Sequence, residues 1–273
     1  MSSSTAPTTE HRIATQVGEL AVVELGQPDA PALVLRHGIF LDRELWRPIA
    51  ERYASTHRVV LIDAPGHGAS GDPGREYSVQ QDARASIQIM DALGIERAVL
   101  IGHSWGGMSS LRVALDHPDR VAGLGLVNTP LEPRTAAERR RYRTLVALLM
   151  VIGAPRWYGR QIVAALFDPA ARRSDIALRM IERVRAADRR VVARAMRAVL
   201  VNPDDVSGRL SELRMPVLAV AGADDYVLDA AAAAMLAERV PHARIVHVPG
   251  DHVTPVEQPE ALAELLDELA AGR

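Results

Sequence analysis

The chain contains, at residues 98–107, the stretch Ala98-Val99-Leu100-Ile101-Gly102-His103-Ser104-Trp105-Gly106-Gly107. An apolar run leads into a serine with a glycine two residues before it and another two residues after it, and a helix-like segment follows. A sharp strand-to-helix turn holds its serine in a strained backbone conformation and brings neighbouring chain too close for a Cβ at the glycines. The stretch therefore predicts a nucleophile elbow, the G-x-S-x-G turn that presents Ser104 at the end of a strand.

Length and composition limit the class of protein. The 273 residues are 48% hydrophobic, enough to bury a full core in one large α/β domain that carries an insertion. No cysteine is present, which excludes disulfides, thiolate metal sites and a cysteine nucleophile, and is compatible with a reducing cytoplasm. Residues 1–10 lack the pattern of a signal peptide, and the longest apolar segment, residues 145–155, is too short to span a bilayer. We expect a flexible tail over residues 1–12 and a soluble, cytoplasmic protein.

Charge is unevenly distributed along the chain. The net charge of −2 argues against a general nucleic-acid-binding protein, but residues 131–200 hold 16 Arg and 6 Asp or Glu, a local excess of 10 positive charges. Two interpretations remain open: solvated helix faces, or steering of an anionic substrate, which would weaken with salt. All 32 basic residues are Arg, so Schiff-base and Ser-Lys mechanisms are excluded.

Apolar strands and helical segments alternate after an initial hairpin, a pattern typical of a parallel sheet covered by helices on both faces. Strand signals are missing from residues 131–210, where Arg-rich helical patterns are interrupted by Pro155, Pro169 and Pro203. We therefore predict a core at residues 13–130 and 211–273 and a helical cap at residues 131–210. The predicted strands are 12–16, 19–25, 32–36, 58–63, 98–102, 121–128, 217–221 and 244–248, and the predicted core helices are 44–54, 79–93, 105–116, 230–238 and 259–270.

A serine nucleophile needs a base within hydrogen-bond reach and an acid that orients the base. His252 follows the last predicted strand and is the candidate base. Asp225 follows the preceding strand and is the candidate acid, with Glu132 in reserve. Because both residues lie at carboxyl ends of parallel strands, we expect them at the same edge of the sheet as Ser104.

Several motifs together give the chain a specific resemblance: over residues 13–270 it resembles the α/β-hydrolases. Within that superfamily it is similar to the cap-bearing esterases, the enol-lactonases and the cofactor-free haloperoxidase-like proteins. The resemblance implies a mostly parallel, eight-stranded sheet with helices on both faces and a helical cap insertion. It also selects Asp225, three residues after Gly222, over Asp224; some relatives use the strand before it, where this chain has Asn128. The matching pieces are His37-Gly38, residues 63–70, the elbow, residues 117–121, residues 222–225, Gly250-Asp251-His252 and Glu257-Gln258-Pro259.

The same comparison of motifs suggests how the remaining site is built. Two backbone N–H groups, those of Ile39 and Trp105, fit an oxyanion hole. We interpret His37 and His103 as structural, and Asp63 and His67 as residues that shape a loop. Arg36 departs from the usual apolar strand and either pairs with an acidic neighbour or reaches a substrate carboxylate. We assign substrate contacts to Phe40, Trp157, Tyr226 and Val253.

No cofactor or metal is predicted, because the chain has no H-E-x-x-H spacing, no phosphate-loop lysine and no dinucleotide-binding fingerprint. The expected partner is a small-molecule ester or lactone, with no nucleic acid and no membrane; the sequence does not determine the oligomeric state. The leading hypothesis is a serine hydrolase that cleaves a small to medium, partly apolar ester or lactone through an acyl-enzyme. Two alternatives stay open: a C–C bond hydrolase or perhydrolase with the same triad, and a non-catalytic ligand-binding protein.

Overall fold

One eight-stranded sheet organises the protein. The computed structural model describes residues 7–225 and 230–271. The order of strands in space is β1-β2-β4-β3-β5-β6-β7-β8, in which β1–β2 and β2–β4 are antiparallel and every other pair is parallel. This is the mostly parallel sheet that the sequence predicts. The strands are β1 (Thr8–Thr15), β2 (Gly18–Leu25), β3 (Ala32–Arg36), β4 (Arg58–Ile62), β5 (Ala98–His103), β6 (Val121–Val127), β7 (Val217–Gly222) and β8 (Arg244–Val248).

Helices cover both faces of the sheet. Successive side chains of a strand point to opposite faces, so Leu33 and Val34 of β3 enter two different apolar clusters. Helices α2 and α3 contribute to the cluster of Val34, and α1 and α10 to that of Leu33. Across the described ranges, no helix has both the length and the apolar character needed to cross a membrane. The helices are α1 (Arg47–Tyr53), α2 (Val79–Ala92), α3 (Trp105–Asp116), α4 (Ala136–Ile152), α5 (Arg156–Leu166), α6 (Asp175–Ala186), α7 (Arg189–Met196), α8 (Ala230–Arg239), α9 (Thr254–Glu257) and α10 (Pro259–Ala270).

The predicted tail over residues 1–12 needs correction. Residues 1–6 lie outside the described residues, but Thr8–Arg12 belong to β1 and pair in register with Ala21–Leu25 of β2. The strand is at the edge of the sheet, and several of its polar side chains, including Glu10 and Arg12, are exposed. An edge strand that buries few of its side chains has little apolar alternation in its sequence. This explains why the sequence analysis placed the start of the strand at residue 12, whereas β1 begins at Thr8.

Residues 128–216, between β6 and β7, form a segment without strands that we call the helical insertion; it contains α4–α7. Helix α4 begins with a capping box, in which Thr135 and Glu138 exchange hydrogen bonds. Part of the arginine excess joins the insertion to the core through ion pairs with core carboxylates. These pairs are Arg183–Asp42, Arg194–Asp72 at 2.5 Å and Arg197–Glu76 at 2.7 Å.

Candidate active site

The candidate catalytic residues follow parallel strands that end at one edge of the sheet. Ser104 comes directly after β5, Asp225 follows β7 and His252 follows β8. Because β5, β6, β7 and β8 are parallel neighbours, their carboxyl ends meet there and bring together three residues that are far apart in the chain.

Ser104 lies in the sharp turn that the sequence predicts. Its φ of 50° and ψ of −112° are strained for a residue with a side chain, and its N–H donates to the carbonyl of Val127 at 2.8 Å. A Cβ on Gly102 would lie 2.2 Å from the carbonyl carbon of Gly106, and a Cβ on Gly106 would lie 2.3 Å from the carbonyl oxygen of Arg36. Both glycines are therefore required by the close approach of backbone around the serine.

His252 and Asp225 form a buried hydrogen-bonded pair. The Nδ1 of His252 lies 3.0 Å from Oδ1 of Asp225, and the two residues are 5% and 6% exposed. Since a carboxylate only accepts, Nδ1 is the donor in this bond, and a neutral imidazole in this tautomer has its lone pair on Nε2, as a general base needs. The ring of His252 is 5.2 Å from that of His103, the residue before Ser104, so the imidazole lies beside the elbow.

Asn128 supports this pair, a role that the sequence reasoning missed. Its Nδ2 donates to Oδ2 of Asp225 at 2.8 Å and to the carbonyl of Asp251 at 3.2 Å, while its Oδ1 accepts from the N–H of Thr254 at 3.3 Å. The residue has a φ of 48°, which asparagine tolerates better than most residues. Its position at the end of β6, where some relatives carry the acid, was the available signal. Glu132, the reserve acid, is exposed.

The loop after β3 packs directly on the elbow. A Cβ on Gly38 would lie 2.6 Å from Nδ1 of His103 and 3.2 Å from Cβ of Ser104. Because Ile39 follows Gly38 directly, it also lies close to the serine. Trp105 is the first residue of α3, so the N–H of Trp105 has no acceptor one turn earlier in the helix. Within the described residues, no backbone acceptor binds the N–H of Ile39.

His103 holds the backbone of the candidate base. Its Nε2–H donates to the carbonyl of His252 at 2.8 Å. Burial, reinforced by the neighbouring His252, lowers the pKa of His103 to about 3, so the ring is neutral at physiological pH. A neutral, fully buried ring that donates one hydrogen bond acts as a support for His252.

His37 links the loop after β3 to the loop after β4. Its Nδ1–H donates to the carbonyl of Gly38 at 2.8 Å, and its Nε2 accepts the N–H of Ala64 at 2.9 Å. Burial lowers the pKa of His37 well below its ordinary value. In the loop after β4, the side chain of Asp63 accepts hydrogen bonds from the backbone N–H groups of Arg43 and Ala69, both within 2.9 Å. The contacts of His37 and Asp63 are thus made within the scaffold of these loops.

Arg36 pairs with an acidic neighbour, one of the two alternatives that the sequence left open. Its guanidinium lies 2.5 Å from Oδ1 of Asp82 and 2.7 Å from Oγ of Ser86. Arg36 is 2% exposed and Asp82 is fully buried. The guanidinium therefore lies within the core, at the end of β3.

A pocket of about 240 Å³ adjoins the loop after β3 that contains Gly38 (the Gly38 loop), the loop after β4 that contains His67 (the His67 loop), and helices α6 and α7. Phe40, Arg183 and Val192 contribute to its lining. Of the other predicted contacts, Trp157 is 54% exposed on α5 and is absent from this lining, and Val253 has no exposed surface through which a ligand could reach it. Tyr226 lies outside the described residues.

Comparisons with known proteins identify the family to which this fold belongs. A family model described as alpha/beta hydrolase fold matches residues 31–152. The chain is 30% identical to a protein of Azorhizobium caulinodans named "Putative carbamate hydrolase RutD", with 86% of this chain and 89% of the relative covered. It is 27% identical to 3-oxoadipate enol-lactonase 2 of Acinetobacter baylyi, over 86% and 87% of the two chains. A hydrolase structure from Pseudomonas aeruginosa PA01 superposes with a TM-score of 0.87 at 26% identity, covering 97% of this chain and 99% of that one. With this fold, this sheet edge and these relatives, the chain belongs to the α/β-hydrolase superfamily.

Proposed function

We propose that this hydrolase cleaves carboxylic esters or lactones with Ser104 as nucleophile, His252 as general base and Asp225 as the acid that orients it. The observation that carries the proposal is the buried 3.0 Å hydrogen bond between His252 and Asp225, located beside a serine in the strained elbow conformation. A buried carboxylate paired to an imidazole at the edge of a cleft is the arrangement that activates a serine.

The chemistry follows from the positions of these groups. His252 Nε2 takes the proton of Ser104 Oγ as that oxygen bonds to the substrate carbonyl carbon, and the carbonyl oxygen becomes an oxyanion. The N–H groups of Ile39 and Trp105 donate to this oxyanion, and the N-terminal end of α3 adds a favourable field. The C–O bond then breaks, and His252 returns its proton to the leaving alkoxide. A water then gives a proton to the same imidazole as its oxygen bonds to the acyl carbon. The second tetrahedral intermediate breaks its bond to Ser104 Oγ, which releases the acid, and His252 returns the proton to Ser104 Oγ.

The lining of the pocket beside the loop after β3 does not include Ser104 or His252, but it includes His67, whose ring lies 5.3 Å from that of Trp105. We propose that this pocket holds part of a small to medium, partly apolar substrate. Its volume of about 240 Å³ is below the roughly 300–1,000 Å³ of pockets that enclose drug-sized ligands. Phe40 and Val192 contribute apolar surface to it. Because α6 and α7 form one side of this pocket, we propose that the helical insertion acts as the cap over the site.

Carbamates are a second candidate substrate class. The Azorhizobium relative is named for carbamate hydrolysis and the Acinetobacter relative for an enol-lactone, at similar identity to this chain. Attack on a carbamate carbonyl gives an analogous tetrahedral intermediate and needs the same three residues. The two classes differ in the group attached to the carbonyl, so only a comparison of substrates separates them.

The test compares the wild type with Ser104→Ala and with Ser109→Ala as matched control. Ser109 is buried in α3, the helix that follows Ser104, and its hydroxyl has no partner among the described residues, so its loss should leave activity unchanged. The substrates are aryl esters of increasing acyl length, lactones and aryl carbamates, with a β-diketone and peroxide as further arms.

We expect turnover by the wild type and by Ser109→Ala and at least about a thousandfold loss in Ser104→Ala. Activity retained by Ser104→Ala would refute the serine mechanism. Cleavage of diketones alone would support a C–C hydrolase, and ligand binding without turnover of any substrate would support a non-catalytic protein.

A further inference from the structure

The backbone of the loop that carries His252 is held from several sides. The N–H of His252 donates to the carbonyl of Leu166 at 3.0 Å, and the carbonyl of His252 accepts from His103. The N–H of Asp251 donates to Oε2 of Glu257 at 2.7 Å, and the carbonyl of Asp251 accepts from Asn128. Leu166 belongs to α5, so the helical insertion supplies one of the bonds that fix the backbone of His252 itself.

Glu257 fastens the same part of the insertion a second time. Its Oε1 accepts the N–H of Asp168 at 2.8 Å while Oε2 accepts the N–H of Asp251. One half-buried carboxylate therefore joins the end of α5 to the residue before His252. Its side chain packs against Gly250, where a Cβ would lie 2.7 Å from Oε2. Gly250 has a φ of 117°, so glycine is needed there both for the backbone and for the carboxylate.

Phe167 lies between these two attachment points. It is fully buried, in the same apolar cluster as Val253, the residue after the base. The end of α5 is thus held to the His252 loop by one backbone–backbone hydrogen bond and, through the carboxylate of Glu257, by a second link to a backbone N–H, with Phe167 buried in the same apolar cluster. A displacement of the end of α5 would break both hydrogen bonds together.

We propose that Glu257 is a positioning residue that ties the seated insertion to the backbone of His252, so that the base is held in place only while the insertion is docked. This inference rests on the proposed function. A carboxylate suits the role because it accepts two N–H bonds at once, and bonds to a charged acceptor are the stronger ones. A glutamine has one accepting oxygen, and its NH₂ group would face one of the two donors.

The first test is Glu257→Gln with Glu260→Gln as matched control. Glu260 is exposed in the first turn of α10, so its neutralisation changes the same charge without touching the loop. We expect kcat of Glu257→Gln to fall about tenfold or more, with KM within about twofold, because base positioning acts on the chemical step. The rate at which a fluorophosphonate labels Ser104 should fall in parallel, whereas Glu260→Gln should match the wild type in both measurements.

The second test removes the other partner of the carboxylate. Asp168→Pro deletes the N–H that Glu257 accepts, and Phe167 already has the extended backbone that precedes a proline, with φ −112° and ψ 136°. Asp168→Ala is the control, because it removes the side chain and keeps the N–H. We expect a loss of kcat in the proline variant that the alanine variant does not show, and a Glu257→Gln/Asp168→Pro double variant less impaired than the product of the single losses.

The outcomes separate the two claims. A wild type that turns over esters, together with Glu257→Gln and Asp168→Pro variants whose kcat is within twofold of it, would overturn this inference and leave the proposed function standing. If Glu257→Gln fails to fold, the comparison of Asp168→Pro with Asp168→Ala decides the question alone. A wild type that neither turns over substrate nor reacts with the fluorophosphonate would overturn both.

Discussion

Replacement of Asn128 tests whether Asp225 depends on its amide neighbour. The Nδ2 of Asn128 donates to Oδ2 of Asp225 at 2.8 Å, on the carboxylate whose other oxygen binds His252. Asn128→Ala removes that bond together with the weaker ones to Asp251 and Thr254. We expect a folded protein in which Asp225 orients His252 less precisely.

The magnitude follows from the kind of bond that is lost. A hydrogen bond to a charged group contributes about 1.5–3 kcal/mol. If the whole of it is felt in the transition state, when His252 becomes an imidazolium, kcat/KM falls about 10- to 150-fold. Alanine at a φ of 48° adds backbone strain of about 1 kcal/mol, which lowers stability but need not slow the reaction.

Asn128→Gly separates the two effects, because glycine adopts this backbone conformation without strain and also lacks the amide. The assay is hydrolysis of an aryl ester under kcat/KM conditions, with urea unfolding to measure stability. Equal losses of activity in the alanine and glycine variants are the expected result. Activity within twofold of the wild type in the glycine variant would refute the reasoning, since the lost amide would then have no effect on the base.

Two further predictions concern buried charges and histidines. Arg36→Met leaves the buried carboxylate of Asp82 without its guanidinium and should lower the free energy of unfolding by about 3–5 kcal/mol, whereas Arg36→Met/Asp82→Leu should recover most of the loss in urea unfolding; equal losses in both variants would contradict this reading. His103 has a folded-state pKa of about 3 against about 6.5 when unfolded, so the unfolded chain binds its proton first as the pH falls. The free energy of unfolding should therefore decrease as the pH falls from 6.5 to 3, by at most about 1.4 kcal/mol per pH unit from this residue. His103→Gln should show a shallower decrease, and an unchanged slope in that variant would contradict the lowered pKa of His103.

Much of the fold was readable from local pattern. The bounds of β3, β8, α3 and α10 agree with their predictions, because runs of buried side chains and terminal prolines or glycines act within a few residues of the positions they determine. The turn around Ser104 could be predicted for the same reason, since its glycines are required by backbone atoms that lie close to the serine. The start of β1 was misjudged because an exposed edge strand has little apolar alternation.

The support of the candidate site was not readable in this way. The sequence suggested that Asn128 is not an acid, but its contact with Asp225 joins residues 97 positions apart and depends on how β6 and β7 lie side by side. The partner of Arg36 is 46 positions away on α2, and the contact of Glu257 with Asp168 spans 89 positions. Each of these residues has a polar side chain, and the residue type alone does not show whether that side chain is solvated or buried in a hydrogen-bonded pair.

The sequence by itself determined the alternation of strands and helices and the elbow at Ser104, because hydrophobic period and backbone freedom act locally, whereas the choice of Asp225 and His252 as its candidate partners also depended on the resemblance to the α/β-hydrolases. The tertiary structure alone decided which polar groups meet at the sheet edge. The amide of Asn128 donates to Asp225, the imidazole of His103 donates to the carbonyl of His252, and the carboxylate of Glu257 joins Asp168 of the insertion to Asp251. Such contacts form only when strand register and helix packing bring distant residues within about 3 Å of each other, and once buried there each donor or acceptor must find a partner.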